Sequence, residues 1–463
     1  MRPLESCLDM RPTPVQARAR RCRLRLAAVA GPIITTLAIT AAGCASANGA
    51  PTPNEVDAAI RARTAEAGIR IEAQAPLPPD VDPTDGVTQE EAVAIALWNS
   101  PSFQATLTDL GIARADLVDA GLLRNPIFSL LFPLGPKQLE FTLQYPFEAL
   151  FQRPARVAAA KLNAKAIGER LVWDALSMVA QVRTAHADAI TADRRLALAT
   201  EKATLARRLA DITDARLRAG DISELDARAP RTDASRSDTV RRIVQHDRDL
   251  ARITLAALLG VDQVQPLQPL PSAAYDAAAC PVDDGTLKAA LASRPDVRAA
   301  ELGIEAASAR ARWEHSRVLA LIGVLDANGS GREGFEMGPG VTLDLPLFFR
   351  NQGGIARTTA EIERASRLYA AARAQVVADV RSAGVRVTQS QDALDAWASE
   401  MVPSLEIERR QAESAYQAGE IPLFAVLDVS RRLVDSRMQQ LDAEAGLFRA
   451  RIALDRAIGR YCR

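Results

Sequence analysis

Between Val157 and Leu217 the chain runs without a proline and with a single glycine, Gly168. Leu171, Ala175, Met178, Val182, Ala185, Ala189, Ala192, Leu196, Ala199, Ala203, Ala206 and Ala210 recur there in alternating steps of four and three. That spacing is a heptad seam and predicts one unbroken helix laid against a neighbour. Leu198, Leu205, Leu209 and Ile212 mark another face, so neighbours are expected on two sides. At ~1.5 Å per residue the helix is about 90 Å long, several times the width of an ordinary domain. Alanine dominates the seam, which lets adjoining helices approach closely. A rod of this kind suits a tunnel, a stalk or a scaffold.

Apolar residues make up 48% of the chain but aromatics only 4%, which favours thin helical layers over one bulky core. Charge is balanced at 57 against 57, so nothing marks a partner among nucleic acids. The front end departs from that balance. Arginines cluster from Arg18 to Arg25, an uncharged apolar run follows from Leu26 to Ala42, and Ala41-Ala42-Gly43-Cys44 closes it. This is the layout of a secretory signal over residues 1–43, with Met10 an alternative start because Glu5 and Asp9 are unusual ahead of such a segment. A cysteine directly after Ala-Gly resembles the lipobox of bacterial lipoproteins, although Ala41 stands where leucine is usual. Cys44 is then the expected lipidation site, each buried methylene of an acyl chain adding roughly 0.8 kcal/mol of membrane affinity. Ordinary cleavage near Ala47 is the alternative. Cys280 and Cys462 would remain in an oxidising compartment, either bridged or as two thiols.

Residues 44–86 are rich in proline and are expected to run as an extended tether. Thr88-Gln89-Glu90-Glu91 is a capping box, Pro101 interrupts the helix it opens, and a second helix follows to about Leu123. The period then changes. Leu139, Phe141, Leu143 and Tyr145 alternate with Glu140, Thr142 and Gln144, as in a strand with one apolar and one wet face. Ile127–Phe132 is its expected hairpin partner. The rod follows Pro146 and ends near Gly220; a further helix runs from about Ser223 to Leu259, and a proline-rich linker covers 261–285.

The same order then recurs. Pro101 is matched by Pro295, Tyr145-Pro146 by Leu345-Pro346, Arg218-Ala219-Gly220-Asp221-Ile222 by Gln417-Ala418-Gly419-Glu420-Ile421, and Leu259-Gly260 by Ile458-Gly459, at offsets of 194 to 200. Residues 87–260 are thus a first repeat and 286–460 a second, with 461–463 a short end. Strands are expected again at Leu319–Asn328 and Gly340–Leu345. In each repeat the two shorter helices together match the rod in length, so they can stack end to end beside it. Pro403, inside the second rod, should kink it.

Strands of alternating polarity suit a membrane barrel with lipid outside and water within. Four per chain cannot close one, and an open edge in lipid costs several kcal/mol per unpaired backbone group. Three chains supply twelve strands, within the range of such barrels. The fold class expected is therefore mainly α with a small β-barrel, completed by a trimer. A soluble β-layer joining two coiled coils is the alternative.

Asn99-Ser100-Pro101-Ser102-Phe103, Arg294-Pro295-Asp296-Val297, Leu345-Pro346-Leu347-Phe348 with Asn351-Gln352-Gly353-Gly354, the paired Ala-Gly turns and Leu258-Leu259-Gly260 resemble, in this order, the TolC-like outer-membrane efflux protein family. The resemblance covers about residues 86–460. Leu345–Gly354 looks most like its heavy-metal-efflux branch, whereas Tyr145–Pro154 has no glycine-rich turn and departs from it. The resemblance implies a homotrimer in outer-membrane lipid, with a lipid-anchored chain and most of its mass in the periplasm as a helical tunnel girdled by an equatorial layer. It implies that the tips at Gly220 and Gly419 meet a periplasmic adaptor and an inner-membrane pump, and that Leu139, Phe141, Leu143 and Tyr145 face lipid. By position it makes Asp226 and Asp428 gating carboxylates; Ala425 stands where some members have an acid. A ring of such carboxylates attracts cations and repels itself, while each aspartate also stands near a helix start, where the macrodipole favours it. The implied function is the exit duct of a tripartite efflux system. A type I secretion duct and a non-conducting periplasmic scaffold lipoprotein are the alternatives.

His186, His246 and His315 are isolated and are expected on helix surfaces. The chain has no CxxC, HExxH, phosphate-cradling loop or Ser/His/Asp arrangement, so no enzyme, metal site or cofactor is expected.

Overall fold

The computed structural model describes residues 47–64, 69, 78, 81, 86–132, 134, 139–261, 268–270, 283–329 and 335–461. The signal segment, Cys44, Cys280, Cys462 and most of the 261–285 linker lie outside them. The first repeat comprises α2 (Gln89–Asn99), α3 (Pro101–Gly121), β1 (Ile127–Leu131), β2 (Leu139–Pro146), α4 (Glu148–Arg218) and α5 (Glu224–Leu259). They are preceded by α1 (Pro53–Thr64). The second comprises α6 (Asp284–Ser293), α7 (Pro295–Ser316), β3 (Leu321–Gly329), β4 (Phe335–Leu343), α8 (Gln352–Asp395), a π-helical turn (Ala396–Met401), α9 (Val402–Gln417) and α10 (Leu423–Ile458).

The rod is α4, longer than its seam because Pro154 is absorbed inside the helix. Of the seam residues all but Leu196 are buried. The expected stacking also holds. α3 and α5 both pack on α4, α7 and α10 lie on its other flank, and α8 with α9 packs beyond them on α7 and α10. The wall therefore reads α3/α5, α4, α7/α10, α8/α9.

The strands follow the same order, β1-β2-β3-β4, all antiparallel. β1 and β4 are the edges of the sheet, and the helices continuous with them are the edges of the wall. Residues in register share a face. One face carries Phe128, Leu130, Leu139, Phe141, Leu143, Tyr145, Leu325, Ala327, Met337 and Val341, and Phe128 and Phe141 approach with ring centres 6.1 Å apart. The other carries Ser129, Glu140, Thr142, Gln144, Asp326, Asn328, Glu336 and Thr342 among a few aliphatics.

Two expectations need correction. The 44–86 segment is not extended throughout, because α1 lies within it. Thr52 and Glu55 form a reciprocal cap there: the Thr52 N–H donates to Glu55 at 2.8 Å and the Glu55 N–H to Thr52 Oγ1 at 3.2 Å. Val56 and Ile60 then pack on Leu171, Val172 and Ala175 of α4. β4 begins at Phe335 rather than Gly340, so Gly338-Pro339-Gly340 lies within a strand. An edge strand tolerates a proline, since one of its sides has no ladder to complete.

Candidate functional site

The far ends of the two rods are superimposable in their hydrogen bonding. Gly220 and Gly419 take φ of 81° and 78°, a left-handed conformation that glycine adopts without strain. The Asp221 N–H returns to the Arg216 carbonyl and the Glu420 N–H to that of Ala415, each at 2.9 Å. Beyond each glycine and its chain neighbours, nothing lies within 4 Å of the place a Cβ would occupy, so both turns are open surfaces.

Asp226 is not a free carboxylate. It is the third residue of α5 and forms a capping box with Ser223, whose hydroxyl donates to it at 2.7 Å and whose N–H does so at 3.2 Å. The serine hydroxyl and N–H hold its pKa below the usual carboxylate range. Asp428 sits on α10 between Arg431 at 3.3 Å and Arg432 at 3.4 Å. Arg431 also reaches Asp233 on α5 at 2.9 Å, and Arg432 reaches Glu408 on α9 at 2.6 Å. The structure thus does not bring Asp226 and Asp428 into a bare acidic pair. It places the second inside a cluster in which arginines offset carboxylates.

Charge also recurs at heptad spacing along the helices that join the repeats. Asp188, Arg195 and Lys202 stand seven apart on α4, and Arg449, Asp442 and Asp435 stand seven apart on α10. Each step down one helix is matched by a step up the other: Asp188 meets Arg449 at 2.7 Å, Arg195 meets Asp442, and Lys202 meets Asp435 at 2.6 Å. This ladder joins the first repeat to the second.

Partway along the wall, where the climbing helices meet the proline junctions, the helix ends are also duplicated. Gly260 and Gly459 cap α5 and α10 with φ of 64° and 83°. A Cβ on Gly260 would lie 2.7 Å from the Asn99 carbonyl, and one on Gly459 would lie 2.9 Å from Arg294 Cγ. Each helix therefore abuts the residues just before Pro101 or Pro295. In the second repeat the junction holds a buried cation. Arg294, 1% exposed, donates to Asp296 at 2.7 Å, to Asp379 at 3.0 Å and to the Ala457 carbonyl at 3.0 Å. Its guanidinium lies over Trp173 of α4 at 4.3 Å.

An equatorial layer gathers on one face of α4. Val87 exchanges hydrogen bonds with Gln268 and Leu270, each at 2.9 Å. Tyr461 donates its N–H to the Arg63 carbonyl at 3.0 Å and its hydroxyl to that of Leu176 at 3.3 Å. His186, expected on a surface, is fully buried here and its Nε2 donates to the Val87 carbonyl at 2.8 Å. Burial lowers its pKa, against the smaller opposing effects of Val87 and Glu90. His186 projects from the same face as Leu171, Ala175 and Val182, where α4 packs against α1 and α2.

Among the described residues no group of histidines, cysteines and carboxylates is arranged to hold a metal, and no helix is long and apolar enough to cross a membrane.

Comparison with known proteins is consistent with this geometry. Residues 286–460 match the outer membrane efflux protein family. The cobalt-zinc-cadmium resistance protein CzcC of Cupriavidus metallidurans is 24% identical over 384 residues, which are 81% of this chain and 90% of CzcC. The pyoverdine export outer membrane protein OpmQ of Pseudomonas putida is 28% identical over 320 residues, 66% of this chain and 67% of OpmQ. Among solved structures, the channel-forming protein CusC superimposes with a TM-score of 0.67 at 18% identity, over 85% of this chain and 99% of that one.

Proposed function

We infer that this chain belongs to the TolC-like outer-membrane efflux proteins, on the match of its second repeat to the outer membrane efflux protein family and on the fold it shares with CusC. It is an outer-membrane efflux channel. In our reading it is the passive exit duct of a tripartite system, fed by an inner-membrane pump through a periplasmic adaptor.

One observation carries the reading. The sheet is two-faced and has two free edges, and the helical wall ends on the same two columns. A single copy cannot enclose anything. Three copies, β4 of one beside β1 of the next, close twelve strands and leave no backbone group unpaired in lipid. The edge helices are prepared for this, since Ile243, Leu250 and Ile253 on α5 and Leu368, Val385 and Ile407 on α8 and α9 are exposed apolar residues. The face of Leu139, Phe141, Leu143 and Tyr145 then meets lipid and the face of Glu140, Thr142 and Asp326 meets water. Phe147, Phe151, Phe348 and Phe349 are exposed where the sheet joins the helices, the level of an interfacial aromatic girdle.

Removal of residues 1–43 and acylation of Cys44 would tether the chain to the same membrane. The turns at Gly220 and Gly419 are the surfaces offered to the adaptor. The gate lies in the ion-pair cluster of Asp428, Arg431, Arg432 and Asp233, with Asp226 in a capping role beside it. The relatives named above divide between metal resistance and pyoverdine export, so homology supports efflux more strongly than any one cargo. Full-length protein reconstituted in a planar bilayer should conduct, and crosslinking should trap trimers. A monomer that conducts nothing would leave the scaffold reading in its place.

A further inference from the structure

The two faces of α4 are unlike. Residues 171, 175, 182 and 186 turn toward the equatorial layer. Ser177, Gln181, Thr184 and Asp188, at 100° per residue, turn the other way. They floor a cavity of about 570 Å³ walled by Thr254 and Leu258 of α5 and by Arg449 and Arg456 of α10. That volume is ample for a small organic molecule.

The inference rests on the duct reading, because that reading decides which face is inside. Twelve helical columns spaced ~10 Å apart make a ring of radius about 19 Å, which leaves roughly 14 Å inside the helix surfaces. The equatorial helices α1, α2 and α6 of three copies, each ~10 Å across, would overfill that space. They must lie outside, and the cavity opens into the lumen.

Its two arginines are anchored in a way that leaves donors to spare. Arg449 spends Nε and one terminal amino group on Asp188, at 2.8 and 2.7 Å. Arg456 donates its Nε to Ser177 Oγ at 3.2 Å and lies over Trp173 at 5.1 Å. In both cases a guanidinium edge remains, held still by its other contacts; that is the preorganised fork which binds carboxylates. Seven residues apart on one helix, the two forks stand about 10.5 Å from one another. Gln181 adds a carboxamide between them, and Ala180, Ile452 and Ala453 an apolar floor.

We propose that this groove is a binding station in the lumen for small organic polyanions bearing two or more carboxylates. Asp188 supplies the one opposing charge and keeps the station weak, as a duct requires. Glu140, Asp326 and Glu336 on the sheet do not contradict it. They lie more than ~45 Å along the wall, several Debye lengths of ~8 Å away.

The test is calorimetric titration of full-length purified protein with citrate, and with sulfate at equal ionic strength, beside bilayer recordings on the same preparation. Citrate should bind and sulfate should bind at least tenfold more weakly. Arg456→Gln should weaken citrate at least tenfold, Arg456→Lys should recover part of that loss, and Asp188→Asn should tighten binding. Arg195→Gln, outside the groove, should leave it unchanged. Equal binding of sulfate, or citrate binding indifferent to Arg456→Gln with the melting temperature unaltered, would overturn the station. A protein that conducts but ignores citrate sinks this inference alone, whereas one that never conducts sinks the duct reading.

Discussion

The two repeats share an order of elements and share their glycine turns, yet they bury their rods differently. In the first, α4 is continuous and sits in the middle of the wall, with its alanine seam covered. In the second, the rod is broken at Ala396–Met401 and lies at the wall's edge, where only Thr358, Val376, Val380, Ala383, Gly384 and Val402 are buried. The climbing helices reverse the pattern: α10 is deeply packed and α5 is largely exposed. Duplication therefore supplied two equivalent units, and position decided which helix of each became core. The edge helices kept apolar residues that a single chain leaves uncovered, and such residues ask for a neighbour.

The largest difference to test is at the proline junctions. Arg294→Met removes the cation from between Asp296 and Asp379 and leaves their charges uncompensated. Breaking such a buried pair should cost about 3 kcal/mol, read as a fall in melting temperature by circular dichroism. Ser100→Ala, at the matching site, removes one hydroxyl contact with Ser102 and should cost about 1 kcal/mol at most. Equal losses would mean that the junctions do the same work.

The broken rod comes next. The π-helical turn places the Val402 N–H on the Trp397 carbonyl, one residue further back than in an α-helix, just ahead of Pro403. A π turn is one inserted residue, and here it accommodates a proline that would otherwise clash within the helix. Deleting Ala398 should restore α geometry without turning the faces below it, but it exposes that clash and should cost about 3 kcal/mol. Combining the deletion with Pro403→Ala should recover most of the loss. If the double variant is no better than the deletion, the turn has another cause.

A smaller effect is expected at the equatorial layer. His186 has a folded pKa below its ordinary value of 6.5 because it is buried. The unfolded chain then binds more protons below pH 6.5, so stability is complete above that value and declines as pH falls beneath it. His186→Gln retains a side-chain N–H for the Val87 carbonyl and should flatten this part of the profile of melting temperature against pH. An unchanged profile would assign the acid sensitivity to carboxylates elsewhere.

Much of this was legible in the chain because it is local and periodic. The rod, the Thr88–Glu91 cap, the two glycine turns and the strand pattern from Leu139 to Tyr145 each state themselves within a few residues. What escaped depends on tertiary position. His186 looks like any residue of a polar helix until α2 and the 268–270 segment cover it. Pro339 reads as a turn unless β4 is known to be an edge. Asp226 and Asp428 occupy similar sites, and only their neighbours separate a cap from an arginine cluster. In α1 the Thr52-Pro53-Asn54-Glu55 cap was written plainly, but the surrounding prolines concealed it.

The contact between the repeats gives the smallest effect and the sharpest control. Asp188–Arg449, Arg195–Asp442 and Lys202–Asp435 are all partly exposed, so each pair contributes less than about 1 kcal/mol and adds more to register than to stability. A slip of one heptad would set Asp188 against Asp442 in one direction and Arg195 against Arg449 in the other, because the sign of the ladder inverts between these rungs. Arg195→Asp alone should lower stability by a few tenths to 1 kcal/mol, as should Asp442→Arg alone. The double exchange should restore the wild-type value, a coupling visible in a double-mutant cycle, and the coupling should shrink as salt screens the pair. If the two losses simply add at low salt, the charges are spectators and the alanine seam alone holds the two repeats in register.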